Sequence, residues 1–185
     1  MSNTGKKSYK TLEESQITLS ELMVPVHSNF GGKIHGGYIL GLMDQVAFAC
    51  ASRHSGNYCV TASVNKVDFL HPVEVGELLI LKASINYTGN TSMVVGVRVE
   101  SENIQTGKIN HCNSSYFTMV AKDEKGLNVP VPGIVITDNQ GIRRFVRSVK
   151  RQEQTKLRAN TFDESKFDAS QYIELLRNHN VQINL

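Results

Sequence analysis

Long apolar runs are missing from this 185-residue chain. No window approaches the roughly 20 continuous apolar residues that span a bilayer, so a transmembrane helix is not expected. The opening Met-Ser-Asn-Thr-Gly-Lys-Lys-Ser is followed by no apolar stretch, which predicts no secretory signal. Cysteine is scarce as well. Cys50, Cys59 and Cys112 are odd in number and widely spaced, against the pattern of a disulfide framework or a zinc cluster. A reducing cytoplasm suits such a chain, and no metal is expected.

Charge of one sign is also sparse, except in one place. The net charge is +3, yet residues 143–158 hold seven cations (Arg143, Arg144, Arg147, Lys150, Arg151, Lys156, Arg158) against Glu153 alone. That stretch is +6, and the remainder, with 13 cations and 16 acids, is −3. A basic run can meet a nucleotide phosphate, an acidic membrane or nucleic acid. An ordinary solvated helix face accounts for it equally well. Nucleic acid is not expected, because no recognised motif or interleaved aromatic platform accompanies the run, and no membrane partner is expected.

Residues 1–13 are polar and read as a disordered N-terminus. Ile17, Leu19 and residues 22–24 predict a first strand ending at Pro25, and residues 25–37 a glycine-rich loop. From Tyr38 to about Ser52 the chain is rich in Leu, Met and Ala, without Pro and without alternation, which predicts a helix. Four strand-like runs follow, at 58–69, 77–87, 92–100 and 111–120, separated by turn residues. Residues 129–133 (Val-Pro-Val-Pro-Gly) read as an extended linker. A basic helix over 143–157 and a last helix capped by Asp168 complete the chain. The order predicts an α+β fold with one long helix against a mostly antiparallel sheet. The division expected is 1–13, a domain over 14–126, and a basic helical extension over 127–185.

Within the first helix, Asp44 shares a 100° stripe with Gly37, Leu40, Ala47, Phe48 and Ala51, which predicts that it lies on the face packed against the sheet. No Lys or Arg stands three or four residues away to pair with it. Burial would then carry a desolvation cost. Asp44 could cap a loop or pair with a distant cation. The preceding loop points elsewhere. Asn29, His35, Gly36 and Gly37 lie just before the helix, whose N-terminus offers unpaired N–H groups to a developing oxyanion. Glycines there allow a carbonyl to approach the backbone, Asn29 can hold a water or a carbonyl, and Asp44 can activate water. Together these make an acyl-transfer site.

The spacing Asn29-x-x-Gly32-x-x-x-Gly36-Gly37, followed after six residues by Asp44, resembles the signature of the hotdog-fold acyl-CoA thioesterases, the bacterial and brain-type acyl-CoA hydrolases above all. The likeness continues through Thr61-Ala-Ser-Val64, Val67-Asp-Phe69, Pro72-Val73, Gly76 and Gly89-Asn-Thr-Ser-Met93, covering about residues 15–125. It implies a hotdog fold, a long helix wrapped by a curved antiparallel sheet, as a homodimer assembling to a hexamer (a trimer of dimers). It implies hydrolysis of acyl-CoA to free fatty acid and CoA, with no cofactor beyond the CoA of the substrate. Asn29 and Asp44 of one site would come from different protomers, with Asp44 as general base or as a nucleophile that forms a mixed anhydride; Gly37 and also Gly36 map onto the oxyanion donor, and Thr61 onto a strand position near the acid.

CoA contacts are expected at Lys66, at Asn90, Thr91 and Ser92, and at Arg143, Arg147, Lys150 and Arg151. His35 departs from the aromatic or aliphatic residue often found before Gly-Gly, and Asn90 stands where Arg is frequent. Two other readings remain: a hotdog hydratase or dehydratase using His27 or His35 with Asp44, and a non-catalytic acyl-CoA-binding protein.

Overall fold

A computed structural model of the chain describes residues 8–159, 168, 181 and 182. The chain divides into two compact units, Met1–Ser148 and Val149–Leu185. The expected last helix at Asp168 falls outside the described residues. Among the described residues no helix is long and apolar enough to cross a membrane.

In the first unit, strands β1 (Tyr9–Thr11) and β2 (Ile17–Leu22) lead through a single 3-10 turn at Pro25–His27 to helix α1 (Gly36–Ser55). Strands β3 (Tyr58–Val64), β4 (Leu78–Thr88), β5 (Ser92–Asn103), β6 (Lys108–Lys122) and β7 (Gly133–Val135) follow, then helix α2 (Asn139–Ala159), which runs on into the second unit. Five strands form one antiparallel sheet in the order β2-β4-β5-β6-β3. The result is the expected long helix against a curled antiparallel sheet.

The boundaries of α1 have local causes. His35, in extended conformation, caps its start with a side chain that accepts from Gly37 N–H. Gly56 ends it at φ 72°, a left-handed conformation that favours glycine. Lys10 Nζ reaches the last carbonyls, 3.1 Å from Arg53 O and 2.8 Å from His54 O, which also complements the negative end of the helix dipole. Ile39, Leu42, Met43, Val46, Ala47 and Cys50 are buried on the sheet side. Opposite them on β4 and β5 are the alternating Leu79, Leu81, Ala83 and Ile85, and Met93, Val95, Val97 and Val99, all buried. Each Val, Leu, Ile or Met among them contributes roughly 1.5–3 kcal/mol, so this face fixes the helix's rotation.

Three segments differ from expectation. Tyr9–Thr11, in the stretch expected to be disordered, pairs in parallel with Gly133–Val135. Val129 N–H and Val131 N–H donate to Ala121 and Asn90 carbonyls, and Val131 is buried, so residues 129–133 are docked on the sheet rather than a loose linker. The strand expected over 58–69 stops at Val64; beyond it Asn65 N–H and Leu70 N–H still reach β6 at Tyr116 O and Cys112 O, but in irregular conformation.

Candidate functional site

The helix tip is built from two glycines and two rings. His35 Nδ1 accepts from Gly37 N–H at 2.9 Å. A Cβ on Gly37 would lie 2.9 Å from His35 Cε1, so the glycine makes room for the imidazole. A Cβ on Gly36 would lie 3.2 Å from the Phe69 ring, which is 47% exposed. On the side where a Cβ would stand, the space at these glycines is thus taken by two rings. Gly37 N–H, expected to be the oxyanion donor, is occupied by the cap. Tyr38 N–H and Ile39 N–H return to His35 O, and Gly36 N–H makes no hydrogen bond among the described residues.

Asn29 sits in the loop between the 3-10 turn and α1. Its Oδ1 accepts from Gly31 N–H at 2.8 Å and Lys33 N–H at 3.2 Å, while its own N–H donates to Lys33 O. Two backbone donors converging on one amide atom identify that atom as the oxygen. The amide therefore turns its two Nδ2 donors outward, and its outward capacity is donation only. Gly32 at φ 74° allows the turn, and the Lys33–Glu74 ion pair at 2.5 Å ties its far side to the chain.

Asp44 lies on an exposed stripe of α1 with Gly37, Gly41 and Phe48, not on the buried face as expected. Small and apolar residues occur on both sides of this helix, so composition did not reveal which side the sheet covers. Thr61 on β3 donates its hydroxyl to Asp44 Oδ1 at 2.5 Å. Thr61 is brought there by the edge strand, where the pairing with β6 shifts between Thr61 and Ser63 and leaves Ala62 as an extra residue. Such bulges re-aim side chains beside functional sites. Among the described residues Asp44 forms no ion pair, and its Oδ2 makes no hydrogen bond. Asn29 makes no hydrogen bond to Asp44 within the chain.

The residues expected to contact CoA are distributed differently. Lys66 is exposed and paired with Asp68 at 3.0 Å. Asn90, Thr91 and Ser92 form the β4–β5 turn, and Ser92 shares a cross-sheet row with Val120 and Val60, about 10 Å from β3 at two strand spacings. Phe145 of α2 leans on Tyr87 near that turn, with ring centroids 5.1 Å apart. Arg143 and Arg147 flank Phe145 and are exposed. Lys150 and Arg151 belong to the second unit; Lys150 is exposed and Arg151 is partly buried and engaged.

Phe30, Tyr58 and Phe69 were not singled out for chemistry, whereas Phe48 was expected on the stripe of Asp44. Phe69 stands against the helix tip. Phe48, one turn beyond Asp44, meets Tyr58 edge-on at 5.6 Å, and both are exposed. Phe30 is fully exposed beside Asn29. An aromatic residue inside a glycine-rich loop was the available signal. His54 is completely buried: Nδ1 accepts from Ser15 Oγ at 2.6 Å and Nε2 donates to Pro132 O at 3.1 Å. Its burial holds its pKa below the ordinary histidine value, against the weaker opposing effect of the Pro132 bond. His27 stacks on Tyr38, with ring centroids 3.9 Å apart.

These features match known proteins. Residues 31–108 match the model of the Thioesterase superfamily. Protein VdlD of Helicobacter pylori is 45% identical over 143 residues, 77% of this chain and 82% of the relative. A crystal structure of an apo-hexameric acyl-CoA thioesterase superposes with a TM-score of 0.81 at 35% identity, covering 84% of this chain and 99% of that one. An acyl-CoA hydrolase from Staphylococcus aureus, solved with butyryl coenzyme A, coenzyme A and coenzyme A disulfide, superposes at 0.77 with 30% identity over 91% and 99% of the two chains. The chain belongs to the hotdog-fold thioesterase superfamily and is an enzyme of its acyl-CoA hydrolase class.

Proposed function

We propose that this protein hydrolyses the thioester of acyl-CoA to a free fatty acid and CoA, with Asp44 as base, Thr61 orienting it, and Asn29 of the partner subunit completing the site. The observation that carries the reading is the Thr61–Asp44 contact. It fixes Oδ1 and leaves Oδ2 to meet water. Oδ2 removes a proton from that water, and the oxygen adds to the carbonyl carbon. Gly36 N–H at the positive end of α1 and the outward Nδ2 of Asn29 receive the negative charge on the carbonyl oxygen. The C–S bond then breaks, and the proton held by Asp44 goes to the departing thiolate. No cofactor enters besides the CoA of the substrate.

Several features support the surrounding details. Asn29 and Asp44 do not meet within one chain, yet both are exposed, so a dimer lets each complete the other's site. Assembly as a trimer of dimers follows the hexamer named for the 35% identical structure. Arg143 and Arg147, on either side of the Phe145 that meets Tyr87, are the supply of charge for CoA phosphates, and Lys66 is partly neutralised by Asp68. Three free cysteines, all buried, fit a cytoplasmic location. A hydratase that uses His35 is weaker: its Nδ1 is occupied as an acceptor by Gly37 N–H, so a neutral ring carries its proton on Nε2 and has no free lone pair for a base.

The test is a thiol-release assay with Asp44→Ala and Asn29→Ala. Each should retain the oligomer and lose at least about a hundredfold in kcat. Wild-type rates from Asp44→Ala would end this reading.

A further inference from the structure

Phe30 is 113% exposed, the most accessible large apolar side chain among the described residues. Mobility does not explain it. The turn beneath it is closed by four hydrogen bonds between Asn29 and residues 31–33, and the Lys33–Glu74 pair anchors its base. A rigid turn therefore holds a naked phenyl ring at a fixed offset from the outward Asn29 amide, with the two Cα atoms about 3.8 Å apart. An exposed aromatic on a preorganised tip is the form of an interface anchor.

What Phe30 meets follows from its neighbour, on the reading that Asn29 completes the partner's site. Wherever that amide reaches the carbonyl beside the partner's Asp44, Phe30 arrives within a side-chain length of the same place. On the accepting protomer Asp44 is followed one helical turn later by Phe48 (38% exposed), in edge contact with Tyr58 (63% exposed). This is apolar surface beside a carboxylate. Of the two arms of a thioester held between Gly36 N–H and Asp44, the apolar acyl chain is the one this apolar surface suits.

We infer that Phe30 acts in trans as a specificity-determining residue: with the partner's Phe48 and Tyr58 it walls the slot for the apolar acyl chain. Asn29 and Phe30 thus work as one unit, the first holding the carbonyl and the second bounding the chain attached to it. Truncating Phe30 opens the slot and shifts preference toward longer acyl groups.

Mixed dimers test this, with subunit exchange verified. Asn29→Ala mixed with Asp44→Ala leaves one competent site, made from Asp44 of the first chain and Asn29 of the second. Adding Phe30→Ala to the Asp44→Ala chain alters that site. Adding it to the Asn29→Ala chain alters only the dead one. The readout is the ratio of kcat/KM for dodecanoyl-CoA to that for butyryl-CoA. It should rise about tenfold or more in the first mixture and stay put in the second.

Equal ratios in both mixtures, or a shift confined to the second, overturn the inference while the recovered activity leaves the shared site intact. No recovery in the parent mixture overturns the shared site itself. If Phe30→Ala prevents assembly, Phe30→Leu takes its place. Loss of assembly with both would make Phe30 an anchor alone and overturn its role in specificity.

Discussion

The hydroxyl of Thr61 donates to Oδ1 of Asp44 across 2.5 Å, joining an edge strand to the exposed side of the long helix. The bond holds the carboxylate in one rotamer and assigns its two oxygens different tasks. Asp44 stands on a helix and Thr61 beside a bulge in a strand, so their separation is set by how α1 packs on the sheet.

Thr61→Ala should leave the fold intact, because Thr61 is exposed, and lower kcat by about ten- to a hundredfold, the range of a lost hydrogen bond to a charged group. KM should change little, since substrate is held elsewhere. Thr61→Ser should restore most of the activity. Steady-state kinetics of the three forms checks this, and unchanged kcat in Thr61→Ala would remove Thr61 from the site.

The His35 cap makes a different prediction. His35→Leu removes the acceptor for Gly37 N–H and should cost about 1 kcal/mol of stability in urea unfolding. It should also lower kcat, because the helix tip no longer presents Gly36 N–H in a fixed direction. His35→Asn, a good N-cap, should recover both. Gly37→Ala should behave like His35→Leu, since its Cβ would stand 2.9 Å from the imidazole. Recovery of stability without recovery of kcat in His35→Asn would show that the ring does more than cap.

His54 gives the acid side of the stability curve a definite sign. Burial lowers its folded-state pKa beneath the ordinary value of 6.5, with Lys10 adding to the effect and Glu14 opposing it. The unfolded chain therefore takes up a proton first as pH falls. This contribution is complete above about pH 6.5 and is lost as pH drops toward the folded-state pKa, with a slope of at most about 1.4 kcal/mol per pH unit. Unfolding curves at a series of pH values should show the loss, and His54→Gln should remove that part of the slope. A wild-type profile flat through this range would contradict the buried Ser15–His54–Pro132 connection.

Much of this protein was legible in its residues. The helix from residue 38, the strand runs and the order of elements follow from propensity and punctuation, which act over a few residues. The Asn29–Gly36–Gly37–Asp44 spacing pointed to acyl transfer because it places amide donors and a carboxylate two turns apart on one helix.

Facing and partnership were not legible. Asp44 is exposed because the sheet wraps the other side of α1, and Gly37 N–H is occupied because the His35 ring folds over it. Tyr9–Thr11 is a strand because residues 133–135 come back to meet it. Local sequence sets which conformations are cheap for each segment. Which faces are covered, and which donors are already satisfied, depends on contacts between residues far apart in the chain, and only the packed structure decides those.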